Sequence, residues 1–239
     1  MFGGRSCKTG RAVLSIGTLQ ENSLHAALKD WYSLPGDQIE QRVDGYWIDI
    51  VRGDLLIEIQ TRNFSAIKPK LHRLVENHPV RLVYPIAQEK WIVRLSTEGD
   101  QPISRRKSSR RGRLEHVFSE LVRIPHLVAH PNFSLEVLIT REEEIRRNDG
   151  LGSWRRQGWS IVDRRLLGVV DRVRLETPSD FSAFLPASLP GPFTNSELSV
   201  ALGIPNYLAS KAAYSLRSMG LIEVIGKRGR AYLYERKAL

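Results

Sequence analysis

The sequence predicts an α/β protein with a mixed sheet, joined to a smaller C-terminal unit of helices and a hairpin. One helix-like segment alternates with short β-like runs over residues 18–95. Residues 186–193, PASLPGPF, contain three prolines and are typical of a linker, and helix-like and hairpin-like patterns follow them. We therefore predict an α/β domain over residues 1–185, with a core at about 18–95 and an extension at 96–185, and a second domain over 194–239.

The composition excludes several classes of protein. The 239 residues are 41% hydrophobic and 26% charged, and no apolar run reaches the ~20 residues that span a bilayer. A single cysteine, Cys7, excludes an internal disulfide and a cysteine-based zinc site, so we expect a cytoplasmic protein without a membrane partner. The net charge of +10 favours a polyanionic partner, most often nucleic acid, although a solubilising surface would have the same charge.

The first predicted element is a helix over Gln20–Tyr32, because apolar side chains recur at helical spacing from Leu24 to Trp31. Three β-like runs follow, at Ile39–Val43, Tyr46–Val51 and Leu55–Thr61.

A second helix is predicted over Ala66–Glu76, with Pro69 in its first turn, where a missing N–H is tolerated. Two further strands, Val80–Pro85 and Trp91–Leu95, are predicted to form a hairpin. Beyond them, Leu114–Ile124 is typical of a helix.

The hairpin of the second and third strands carries the candidate chemistry. A two-residue turn at Gly53-Asp54 fixes its register, and counting back from the turn places Asp49 opposite Glu58 on one face. Such Cβ atoms are ~4.5–5.5 Å apart, so the carboxylates repel unless something compensates. Mg²⁺ (or Mn²⁺) is the natural compensator, because it takes oxygen ligands from one or two carboxylates.

Two further residues complete the predicted catalytic set. Gln60 follows Glu58 on the same face and can hydrogen-bond a water, and Glu21 of the preceding helix can supply another carboxylate. Both acids of the hairpin could instead lie harmlessly on a solvated face. The apolar Trp47, Val51 and Leu56 on that face favour partial cover.

The order of these elements, with the pattern D-(x)8-E-x-Q on the hairpin, resembles the αβββαβ core of the PD-(D/E)XK, or restriction-endonuclease-like, nuclease superfamily. The resemblance covers roughly residues 18–95. It implies that Asp49 and Glu58 hold Mg²⁺, with Gln60 in the place of the usual lysine that positions the attacking water. Gln60 carries no charge, so it cannot stabilise the transition state as a cation would.

The C-terminal segment contains a capping box, Thr194 to Glu197, a helix over Asn206–Met219 and a hairpin with a basic tip. This arrangement resembles a winged helix-turn-helix domain. The resemblance implies major-groove docking by the second helix and phosphate contacts from the hairpin. The candidate residues are Lys211, Arg217, Lys227, Arg228 and Arg230. Protein contacts or dimerisation are the alternative use of such a module.

A basic run over residues 105–113, RRKSSRRGR, lies in the extension of the α/β domain. Its candidate nucleic-acid contacts are Arg105, Arg106, Lys107, Arg110 and Arg111, and a disordered, solvated loop is the alternative. Trp154 and Trp159 beside Arg155 and Arg156 could stack on unpaired bases or be buried anchors.

The sequence thus predicts a Mg²⁺-dependent endonuclease acting on DNA. The alternative is a non-catalytic DNA-binding or regulatory protein that uses the nuclease-like domain as a scaffold. Cutting of both strands would favour a homodimer.

Overall fold

The computed structural model describes residues 23–96 and 101–237 and has a mixed α/β fold. The α-helices are α1 (Ser23–Tyr32), α2 (Phe64–Leu74), α3 (Phe118–Leu121), α4 (Asn195–Leu202) and α5 (Asn206–Ser218). The strands are β1 (Gln38–Val43), β2 (Tyr46–Arg52), β3 (Leu55–Ile59), β4 (Val80–Leu95), β5 (Pro102–Lys107), β6 (Phe133–Asn148), β7 (Trp159–Leu175), β8 (Ile222–Arg228) and β9 (Ala231–Arg236). The predicted start of the first helix, with Glu21, lies outside the described residues.

Among the described residues, seven strands form one mixed sheet in the order β1-β2-β3-β4-β6-β7, and β5 pairs with the far half of β4. Strands β3, β4 and β6 run parallel, while β1–β2, β2–β3 and β6–β7 are antiparallel. The order of the first six elements, one helix, three strands, one helix and one strand, is the predicted order.

The β2–β3 hairpin has the predicted register. Arg52 pairs with Leu55 and Ile50 with Ile57. Gly53 has a φ of 56°, which the tight turn requires and glycine adopts without strain.

Side-chain alternation along β2 and β3 produces two apolar faces, and a helix covers each of them. Leu24 and Leu28 of α1 pack in one buried cluster with Ile50 and Ile57. Leu56 points to the other face, where it packs in a cluster with the apolar side of α2. The sheet therefore lies between two helical layers, and the ends of β2 and β3 lie between α1 and α2.

The predicted hairpin at 80–95 is wrong, because Val80–Leu95 is one continuous strand. Its first half pairs with β3, and its second half pairs with β5 beyond the end of β3. The segment between the two predicted strands contains a β-bulge between Ala87 and Glu89. A bulge interrupts the apolar pattern without reversing the chain.

The second helix begins at Phe64, earlier than predicted, so Pro69 lies in its second turn. The Phe64 N–H donates to Glu120 Oε2 at 3.0 Å, which supplies the cap that Asn63 does not. The helix predicted over 114–124 is confirmed only in part: Leu114–Val117 is a 3₁₀ helix, and the four-residue α3 continues it to Leu121.

The C-terminal segment has the predicted sequence of elements, α4, α5 and the β8–β9 hairpin. The capping box is confirmed, because Thr194 N–H donates to Glu197 Oε2 at 2.7 Å and Thr194 Oγ1 accepts from Glu197 N–H. Gly203 ends α4 in the left-handed region, with φ 61°.

The segment 186–193, predicted as a linker, is packed against both parts of the chain. Leu189 and Phe193 are buried, and Phe193 exchanges backbone hydrogen bonds with Tyr234 of β9. One cluster of buried apolar side chains runs from α2 and the sheet into α4 and α5. Within residues 23–96 and 101–237, no helix is long and apolar enough to cross a membrane.

Candidate functional site

Asp49 and Glu58 line one small pocket at the ends of β2 and β3, with a volume of about 310 Å³. His25 of α1, Lys70 of α2 and Gln60 line the same pocket, which we call the carboxylate pocket. It lies where the two helical layers meet the end of the hairpin, so that each layer contributes one basic side chain.

The Asp49 carboxylate holds the open end of the hairpin together. Its Oδ2 accepts a hydrogen bond from Ile59 N–H at 2.8 Å and lies 3.2 Å from His25 Nε2. Burial alone would raise the pKa of Asp49, but His25 and the Ile59 N–H outweigh burial, and the pKa lies below its ordinary value. Asp49 is therefore ionised at neutral pH.

Glu58 is buried, with 4% of its surface exposed. Lys70 Nζ lies 2.5 Å from Glu58 Oε1, so a charged ammonium group is the direct partner of this buried oxygen. Burial raises the pKa of Glu58 from 4.5 to about 7, with a further increase from Asp49 and an opposing effect of Lys70. Two neighbouring carboxyl groups thus have widely different pKa values.

Lys70 is the pocket residue that the sequence analysis missed. It follows Ile67 by three positions and precedes Leu71, both buried on the inner side of α2, so it lies at the edge of the buried face. Its ammonium group donates to the main-chain oxygen of Trp47 and pairs with Glu58. The position of Lys70 at the edge of the apolar face of α2 could have indicated that its side chain lies close to the sheet. Only the packing of α2 on the hairpin shows that its partner is Glu58.

Gln60 lies just beyond β3 and lines the pocket, but its side chain is engaged elsewhere. Its Nε2 donates to the Arg62 oxygen at 2.5 Å, with a longer contact to the Asn63 oxygen at 3.3 Å. Trp47 was expected to contribute to the cover of this face, but it is 67% exposed. The cover comes from α2, which packs over Leu56.

A much larger cleft of about 2000 Å³ adjoins the carboxylate pocket. Ser23 and Thr61 line the cleft, while His25 and Gln60, their near neighbours in sequence, line the pocket. Among the described residues along its walls, nine are Lys or Arg and two are acidic; the nine are Arg62, Lys90, Arg106, Arg110, Arg111, Arg146, Arg155, Arg156 and Arg164. We call it the basic cleft.

Alternation along β5 divides the basic run into two sets. Arg105 pairs with Glu143 and Lys107 with Glu89, each at 2.6 Å, and both cations lie about 5.1 Å from the Trp91 ring centre. Arg106 points to the opposite face and lines the basic cleft.

Arg110 and Arg111 also line the cleft, and their segment is anchored to β4. Gly112 N–H donates to Ala87 O at 2.9 Å, and a side chain at Gly112 would meet that oxygen at 2.4 Å. The alternative of a disordered loop does not fit this anchored geometry.

The predicted contacts of the C-terminal segment are distributed differently. Lys211 Nζ donates to Ser119 O at 3.1 Å, so this side chain joins α5 to α3. Arg228 pairs with Glu197 of α4 at 2.7 Å. Arg217 lies over the Tyr214 ring and Lys227 over the Tyr232 ring, at 5.8 and 5.4 Å. Arg230 is exposed at the tip of the hairpin.

The residues of the carboxylate pocket fit a hard divalent cation in part. Two carboxylates converge there, and oxygen donors suit Mg²⁺. The described part of the chain contains no group of three His, Cys, Asp or Glu side chains placed to hold a metal. A cation there would need the remaining ligands from water and a substrate phosphate, as Mg²⁺ commonly takes them.

Comparisons with known proteins place residues 22–176 within one family model, described as a domain of unknown function, DUF8091. An uncharacterized protein of Treponema pallidum (strain Nichols) is 30% identical over 226 residues, which cover 94% of this chain and 88% of that protein. No solved structure matches the chain.

Proposed function

Because this chain belongs to the DUF8091 family, a family of unknown function, we propose an activity from its own geometry: a Mg²⁺-dependent nuclease that hydrolyses phosphodiester bonds in DNA. The observation that carries the proposal is the convergence of Asp49 and Glu58 in one pocket at the edge of a basic cleft. Carboxylates alone would repel a phosphate backbone, and the cleft supplies the opposite charge beside them.

We also propose that the first six elements form a restriction-endonuclease-like core and the last four a winged helix. The element order and the β2–β3 register support the first proposal. The succession α4, α5, β8 and β9 supports the second.

Each pocket residue has a distinct part in the proposed reaction. Asp49 and Glu58 would hold Mg²⁺, which supplies polarisation of the phosphate and a more acidic bound water. Lys70 places positive charge where negative charge develops, which Gln60 cannot do. His25 fixes the Asp49 carboxylate.

A second candidate function is DNA binding without catalysis. The observation that favours it is the Lys70–Glu58 ion pair, which already neutralises the buried carboxyl group. In that case Lys70 would be structural, and the pocket would bind no cation.

A cleavage assay with purified full-length protein separates the two functions. Single-stranded and duplex DNA are incubated with Mg²⁺ or Mn²⁺, and the variants are Asp49→Asn and Glu58→Gln. Asp44→Asn is a matched control, because Asp44 contacts His78 at 2.9 Å outside the pocket. We expect both pocket variants to lose cleavage and to retain binding in EDTA, and the control to cut normally.

Two results would contradict the nuclease. Undiminished cleavage by both pocket variants would assign the activity to another site. Binding by the wild-type chain without cleavage of any DNA form would favour the non-catalytic function.

A further inference from the structure

The loop between β6 and β7 presents a tryptophan to solvent. Trp154 is 82% exposed, whereas Trp159 at the start of β7 is partly covered by Arg94, whose guanidinium lies 4.6 Å from its ring centre. The sequence left open whether these tryptophans are buried anchors or stacking residues. Trp154 is not buried. Its large apolar ring therefore does not contribute the stabilisation that burial of such a ring would give the fold.

The loop that carries Trp154 is held in one shape by its own contacts. Asp149 accepts hydrogen bonds from Leu151 N–H at 3.0 Å and Ser160 Oγ at 2.5 Å. Gly152 N–H donates to Gly158 O, and a side chain at Gly152 would meet Trp159 O at 2.1 Å, so only glycine fits there. The ring is thus exposed on a constrained turn, which lowers the entropy lost when a ligand binds it.

Trp154 lines the basic cleft together with Arg155, whose guanidinium lies 5.3 Å from the Trp154 ring centre. Arg106, Arg110 and Arg111 line the same cleft, and none of them makes an ion pair with a described residue. Arginines without an ion-pair partner can bind phosphates, and an exposed aromatic ring can stack on another flat ring. The cleft therefore suits a ligand that offers both phosphates and accessible rings. A duplex hides the faces of its bases by stacking, and an unpaired base offers one.

We propose that the basic cleft binds nucleic acid with unpaired bases, single-stranded or at a branch, and that Trp154 stacks on one of those bases. The inference rests on the proposed function in one respect, that the ligand is a nucleic acid. It does not require that the protein cleaves this ligand. Tyr207 of α5, 64% exposed in the same cleft, offers a second ring.

Binding in EDTA tests this inference apart from catalysis. The probes are a fluorescein-labelled 20-nucleotide DNA strand and the matching blunt duplex, followed by fluorescence anisotropy at constant ionic strength. The variants are Trp154→Ala and Trp154→Phe. Leu151→Ala is the matched control, because Leu151 is 85% exposed in the same loop but is not part of the cleft wall.

We expect Trp154→Ala to weaken binding of the single strand about tenfold, the loss typical of one stacked base, and to change duplex binding little. Trp154→Phe should recover most of the affinity, and Leu151→Ala should bind like the wild-type chain. Equal affinities of the wild-type chain and Trp154→Ala for the single strand would overturn the inference and leave the proposed function intact. A wild-type chain that binds neither probe would overturn both the inference and the proposed function.

Discussion

Lys70 Nζ of α2 lies 2.5 Å from Glu58 Oε1 of β3, so the positive charge beside the paired carboxylates comes from a helix and not from the strand. The position two residues after Glu58, just beyond β3, is occupied by the uncharged Gln60, whose amide donates to the turn before α2. The nuclease motif covers only positions on the hairpin and therefore predicts no positive charge beside Glu58. Lys70 of α2 supplies that charge.

The first prediction concerns pH. A carboxylate must be ionised to hold a cation, and Glu58 has a pKa of about 7, whereas Asp49 has a lowered pKa. We expect the affinity for Mn²⁺ to rise with pH through about 7, where the Glu58 carboxyl group is half ionised, and to level off only at higher pH, where it is fully ionised. Electron paramagnetic resonance of free Mn²⁺ measures this directly, and an affinity that is constant between pH 5.5 and 8.5 would contradict the assignment.

The second prediction concerns Lys70→Ala. The Lys70 ammonium group lowers the pKa of Glu58, so its removal leaves the buried carboxyl harder to ionise. We expect the midpoint of the Mn²⁺ affinity profile to move to higher pH and cleavage at pH 7 to fall. Lys68→Ala, on the exposed side of the same helix, is the control and should leave the midpoint in place.

The third prediction concerns stability. Between 4.5 and about 7, the folded state binds more protons at Glu58 than the unfolded state, so the stability contributed by this group falls as the pH rises through that window. The pKa difference corresponds to at most about 3 kcal/mol. Glu58→Gln should therefore stabilise the apo protein at pH 8 and be near neutral at pH 4.5. Urea denaturation at pH 4.5 and pH 8 measures the free energy of unfolding of both proteins. If Glu58→Gln changed it equally at the two pH values, Glu58 would ionise as freely in the folded as in the unfolded chain.

The fourth prediction compares two adjacent arginines. Arg106 faces the basic cleft, while Arg105 is paired with Glu143 on the opposite face. Arg106→Ala should weaken DNA binding and reduce the slope of log affinity against log salt by about 1. Arg105→Ala should leave that slope nearly unchanged. Equal slopes for the two variants would mean that nucleic acid does not enter the cleft beside β5.

Local patterns were sufficient for the parts of the fold that short-range chemistry determines. The turn at Gly53-Asp54 fixed the β2–β3 register, and the capping box at Thr194 and the glycine at 203 marked both ends of α4. These signals act within a few residues, so the sequence contains them entirely.

Long-range pairing determined what the sequence analysis missed. The polar residues Gln88, Glu89 and Lys90 lie between the two predicted strands, yet pairing with β6 on one side keeps β4 extended through them. Lys70 has no partner within its own helix that would indicate its place in the pocket. Lys211, predicted to contact DNA, instead reaches Ser119. In each case the contact that determines the structure joins residues far apart in sequence. The periodicity of apolar residues in one segment does not predict such contacts.

The burial of Phe193 and the contact from Lys211 to α3 mean that no flexible tether separates the C-terminal helices from the sheet. The exposed side of α5 and the carboxylate pocket are then held at a constant spacing. Under the proposed function, a nucleic-acid strand that contacts both would be cut a set number of nucleotides from its contact with α5, whatever the intervening sequence.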